Sequence, residues 1–117
     1  MVEKVRRPKV TDSRTERVVT GCGNAYITVS YIDGKPMEIF VHLGKAGGCA
    51  IAQGEALLRC VSVGLRYGVP LEEFVRQLKG ISCPSPTLDE GVPIRSCADA
   101  IAHVLSKFVQ EVDSADK

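Results

Sequence analysis

A small α+β domain is expected of these 117 residues, because the apolar pattern changes period part-way along the chain. Two runs of alternating β-branched and aromatic residues, Ala25 to Ile32 and Met37 to Leu43, flank Asp33-Gly34, a dipeptide suited to the positive φ angles of a tight hairpin. From about Cys49 the apolar residues recur at the helical period instead. The expected architecture is an antiparallel hairpin, or a three-stranded sheet if Arg17 to Thr20 adds a strand, packed against about three helices, with a four-cysteine metal site as the candidate centre.

Each element has its own warrant. In the second strand Met37, Ile39, Val41 and Leu43 share one face and leave Glu38, Phe40 and His42 on the other. Ile51, Leu58, Val61 and Leu65 form the stripe of a first helix, which Gly68 and Pro70 stop. Leu71, Phe74, Val75 and Leu78 carry a shorter helix up to Gly80. The segment from Ser82 to Arg95, with Pro84, Pro86, Gly91 and Pro93, reads as a loop without regular structure. A third helix follows Ser96, whose hydroxyl caps it in an S-x-x-D arrangement with Asp99, and its stripe is Ile101, Val104, Leu105, Phe108, Val109 and Val112. Residues 1–16 are assigned to a basic flexible arm, 17–112 to one domain and 113–117 to a flexible tail.

With 44% hydrophobic and 25% charged residues, the chain suffices for one core without disulfides. No run approaches the roughly twenty apolar residues of a membrane span, and the first residues do not form a signal peptide, so a cytoplasmic protein with reduced thiols is expected. A net charge of +1 gives no electrostatic case for wrapping a nucleic acid, and the basic arm gives only weak support for a nucleic-acid or polyphosphate partner.

Four of the five cysteines stand in turn-forming contexts, at Gly21-Cys22-Gly23, Gly47-Gly48-Cys49, Ser82-Cys83-Pro84 and Ser96-Cys97-Ala98. Distant loops can thereby gather four sulfurs into a metal or redox site, although none of them forms the close C-x2-C pair usual in zinc modules. Unrelated core or turn cysteines are the competing reading. Cys49 and Cys97 each fall in the first turn of a helix, where the dipole favours a thiolate. If all four bind zinc, no position is left for a substrate and the metal is structural. Cys60, within Leu57-Leu58-Arg59-Cys60-Val61, reads as ordinary core.

The stretch Gly44-Lys45-Ala46-Gly47-Gly48 offers backbone N–H groups and one cation to an anion, such as a nucleotide phosphate. It lacks the P-loop pattern and also reads as a plain strand-to-helix turn. His42 and His103 are single histidines without ligand spacing, and no paired carboxylates or Ser-His-Asp set is present.

Taken in order, Thr20-Gly21-Cys22-Gly23-Asn24, Leu43-Gly44-Lys45 with Gly47-Gly48-Cys49, Leu78-Lys79-Gly80-Ile81 with Cys83-Pro84-Ser85-Pro86, and Ser96-Cys97 with Asp99-Ala100-Ile101-Ala102 resemble the TSCPD domain. The signature departs in one place, reading Arg95-Ser96-Cys97-Ala98-Asp99. That domain stands at the C-terminus of adenosylcobalamin-dependent ribonucleotide reductases and as free-standing small proteins. The resemblance implies an accessory or regulatory module, binding a reductase, a nucleotide or nucleic acid, with thiol redox partnership as the alternative. Ribonucleotide reduction belongs to the larger relatives, as does adenosylcobalamin, because the reductase's barrel and cobalamin pocket do not fit in a chain of this length.

Overall fold

The fold is seen in a computed structural model that describes residues 3–43 and 48–115, the side chains of 49, 50 and 110–115 excepted. Strands β1 (Asp12–Thr20), β2 (Gly23–Ile32) and β3 (Lys35–Leu43) form an antiparallel sheet in the order β1-β2-β3. Asp33 and Gly34 join β2 to β3 with φ of 52° and 76°, the tight turn their sequence implies. Gly21 and Cys22 make the two-residue turn between β1 and β2, whose register places Thr20 opposite Gly23.

β1 begins at Asp12, well before Arg17, so residues 12–16 belong to the sheet and not to a basic arm. Their polar sequence carries no alternation, because this end of the strand is exposed on both faces. What remains of the arm is tied down: the Val5 N–H donates to the Arg66 carbonyl at 2.8 Å, and Arg7 Nε lies 2.9 Å from Glu38 Oε1. Glu38 is buried beside Arg7, on the sheet face it shares with exposed Phe40 and His42.

Helix α1 (Gly48–Arg66) packs against β3 and buries Leu58, Val61 and Leu65. Ile51 belongs to the same sequence stripe yet stays 44% exposed, because the helix outruns the sheet at its N-terminal end. Gly68, at φ 101°, ends the helix as expected. Helix α2 (Leu71–Leu78) follows, and Phe74 sits so close to Gly64 that a Cβ there would lie 2.5 Å from its ring. Helix α3 (Cys97–Ala115) packs on α2 and β1, so that the segment beyond 112, assigned to a tail, is helical through Ala115.

Residues 82–95 are not wholly irregular. Strands β4 (Thr87–Asp89) and β5 (Val92–Ile94) pair through a turn in which Glu90 and Gly91 both have positive φ, 48° and 83°. Three-residue strands containing Pro93 give too little periodicity to stand out in the sequence. The hairpin inserts Ile94, 1% exposed, into the core formed by Val18, Ile27, Val29, Ile39, Ala100, Ile101, Val104 and Leu105.

Candidate functional site

Three of the predicted cysteines meet at one end of this body. Cys22 occupies the β1-β2 turn, where the Thr20 hydroxyl accepts from the Cys22 N–H at 3.1 Å and donates to the Gly23 carbonyl at 2.8 Å. Gly21 lies against the next segment: a Cβ there would stand 1.7 Å from the Ser85 carbonyl oxygen, so only glycine lets the two backbones touch. Across that contact the Cys83 N–H donates to the Arg95 carbonyl at 2.9 Å, and Cys83 Sγ accepts from the Ser85 N–H at 3.4 Å.

Cys97 opens α3 because Ser96 caps it, its Oγ accepting from the Asp99 N–H at 3.0 Å. The same hydroxyl donates to the Ile81 carbonyl. The Asp99 carboxylate does not turn back on Ser96 as a capping box would. Instead Oδ1 accepts from the Gly80 N–H at 2.8 Å and Oδ2 from the Arg95 N–H at 2.9 Å. One buried carboxylate therefore closes the excursion from Gly80 to Arg95 at both ends, and fixes Cys83 and Cys97 relative to each other.

Burial raises the Cys97 thiol above the ordinary value of 9.0, the hydrogen bond with the Thr20 side chain opposes this, and the neighbouring Cys22 and Cys83 add to the rise. At Cys97 desolvation and the neighbouring sulfurs work against the thiolate that a helix N-terminus favours. Those same interactions place Cys22 and Cys83 each near Cys97. Among the described residues, no group of three or more His, Cys, Asp or Glu side chains stands in metal-holding geometry.

The remaining candidates are distributed as follows. Cys49 falls in the first turn of α1, and its side chain lies outside the described residues. Cys60 is exposed and not core, on a face of α1 turned away from the sheet. Of the glycine loop, Gly44, Lys45 and Gly47 lie outside the described residues, and Gly48 is the first residue of α1. His42 is exposed on β3, and His103 is half-buried in α3. The sequence did not point to Thr20 and Ser85 as neighbours of the sulfurs, although both lie inside the cysteine-bearing motifs.

An α+β domain with thiols gathered from a hairpin turn, a proline loop and a helix start is the class that fold and site define. The chain belongs to the TSCPD domain family, which it matches over residues 2–109. It is similar to a vitamin B12-dependent ribonucleotide reductase from Streptantibioticus cattleyicolor, with 28% identity over 104 residues, 88% of this chain and 17% of that protein. Reductases of the same description from Bradyrhizobium diazoefficiens, 36% identical over 76 residues, and Agrobacterium fabrum, 34% identical over 74, match 64% and 62% of the chain. The chain spans 17% of the length of the first relative and 6% of the other two. No solved structure matches it significantly. No helix among the described residues is long and apolar enough to cross a membrane.

Proposed function

We propose that this chain is a metal-stabilised accessory module acting with a vitamin B12-dependent ribonucleotide reductase, and that it carries no catalytic chemistry of its own. The supporting observation is the convergence of Cys22, Cys83 and Cys97 from three separate segments. Crowded thiols cannot all ionise without a cation among them, and a soft divalent ion relieves that conflict. The Ser85 N–H directed at Cys83 Sγ is a donor suited to a ligating thiolate. With Cys49 as the fourth ligand the donor set is four thiolates, which fits a closed tetrahedral zinc site with Zn–S distances of about 2.3 Å. Iron suits the same donors. Adenosylcobalamin stays with the larger relatives, and the partner of the module is the reductase's catalytic chain. Binding of a nucleotide phosphate at Gly44, Lys45, Gly47 and Gly48 is a further part of this reading.

Elemental analysis of the purified chain, with thiol titration before and after chelation under denaturing conditions, tests it. One zinc per chain is expected, released by Cys22→Ser, Cys83→Ser, Cys97→Ser or Cys49→Ser and retained by Cys60→Ser. Metal retained in all four variants would remove the reading.

A second reading rests on the side-chain contact between Cys22 and Cys97. In it, the two thiols reduce a disulfide of the reductase and become a disulfide themselves, giving up two electrons and two protons. The raised Cys97 thiol weighs against it, because the attacking species is the thiolate. Oxidation of the chelated protein by glutathione disulfide, followed by peptide mapping, should yield a Cys22–Cys97 bridge if this reading holds.

A further inference from the structure

The helices cover one face of the sheet, where Val18, Ala25, Ile27, Val29, Ile39 and Leu43 are buried. On the opposite face Ser30 and Glu38 are buried, with Arg7 of the N-terminal segment upon Glu38, and the face is open beyond them. Its register aligns Arg17, Tyr26 and His42 in one cross-strand row and Thr15, Thr28 and Phe40 in the next. Tyr26 is 38% exposed and Phe40 44%, both high for aromatic residues on a regular strand. They stand diagonally across β2 and β3, a relation that puts Cα atoms about 7–8 Å apart.

The cations nearest the two rings are Arg7 and Arg17, while exposed Glu55 of α1, which shares a groove with Phe40, is paired with Arg59. The Arg7 guanidinium lies over the Phe40 ring, 5.8 Å from its centroid, and exposed Arg17 stands beside Tyr26. On the sheet face itself Glu38, one row beyond Phe40, is buried beside Arg7. Beside the rings, in the row of Phe40, Thr28 and Thr15 present hydroxyls bonded to each other at 2.7 Å. A docking surface for an apolar protein segment would need contiguous aliphatic side chains. This one has two separated aromatic rings with hydroxyls beside them and a cation next to each ring.

We propose that this open sheet face, through Tyr26, Phe40 and Arg17, binds single-stranded nucleic acid. Successive unstacked bases lie on Tyr26 and on the Phe40–Arg7 pair, and Arg17 meets the backbone phosphate on the β1 side of the base at Tyr26. The net charge of +1 is no obstacle, because the relevant cations are local to the face. The proposal is independent of the metal reading, since none of these residues belongs to the thiol cluster.

The test is fluorescence anisotropy of a labelled oligothymidylate titrated with the full chain at low salt, against the same sequence in duplex form. Single-strand binding is expected to weaken with added salt, by a slope of about 0.7 per phosphate neutralised. Tyr26→Ala and Phe40→Ala should each weaken it roughly tenfold to a hundredfold. Arg17→Ala should lower the salt slope by about one phosphate. All three residues are exposed, so unchanged thermal melting separates loss of binding from loss of fold. Leu88→Ala, an exposed apolar change on β4, should leave binding untouched. Equal affinity for the duplex, equal affinity for a mononucleotide, or binding that survives Tyr26→Ala with Phe40→Ala would overturn the proposal. So would sedimentation showing that the face instead joins two copies of the chain.

Discussion

The two ends of this small domain are held by different forces. Where α1 and α3 cover the sheet, burial of Ile27, Val29, Leu58, Val104 and Leu105 does the work, and the residues repeat at strand or helix period. At the thiol end no apolar stripe runs through the Cys22 turn or the 83–86 loop. Those segments are fixed instead by bonds to Ser96, Asp99 and the Arg95 carbonyl, and by the backbone contact of Gly21 with Ser85. Apolar burial tolerates local adjustment, whereas a buried carboxylate with two fixed donors does not, so the body sets stability and the polar end sets position.

The contrast is broken most severely from the body side. Ile27→Ala, at a fully buried position, should cost about 4 kcal/mol in denaturant unfolding, by the same amount with and without chelator. Asp99→Ala leaves the Gly80 and Arg95 N–H groups without their acceptor, and should cost about 3 kcal/mol. Unlike the core change, it should also raise the rate at which Cys83 and Cys97 react with a thiol reagent under native conditions. Gly21→Ala forces the turn away from the Ser85 carbonyl and should cost about 2 kcal/mol, with the reagent acting first on Cys22.

The smallest effect is a pH dependence. Because Cys97 is raised in the folded state, the folded protein holds that proton more tightly than the unfolded chain. Its contribution is fully present below the ordinary thiol value of 9.0 and is lost as pH rises through the higher folded value. Metal-free protein should therefore become less stable above about pH 9, and Cys97→Ser should flatten that decline. Thermal melts of the chelated protein across that range would show it.

Much of the body could be read in advance because it obeys simple periods. Asp33-Gly34, Gly68 with Pro70, and the Ile101 to Phe108 stripe each stand where backbone geometry or burial requires them. The exceptions follow from contacts between residues remote in sequence. Glu38 is buried because Arg7 reaches it from the N-terminal segment, and Cys60 is exposed because the buried side of α1 is that of Leu58, Val61 and Leu65. The β4-β5 hairpin turns at Glu90-Gly91 with positive φ at a non-glycine residue, which no period announces. At the thiol end, glycine flanks Cys22, proline follows Cys83 and the capping Ser96 precedes Cys97, so each of these segments is legible as a turn or a helix start. Desolvation of Cys97 depends on how closely those segments pack, and that is a property of the assembled fold.

A three-stranded open sheet has two free edges, and each exposes backbone groups that recruit strands from neighbouring molecules. Here β3 offers its Ile39 N–H and carbonyl to the Ser62 hydroxyl, at 2.9 and 3.2 Å. On the far side the Val19 N–H of β1 meets Asp89 Oδ1 at 3.4 Å, with β4 alongside. A helix serine and a hairpin aspartate thus act as stoppers against edge-to-edge polymerisation, so the solubility of the domain at high concentration hangs on two small polar side chains.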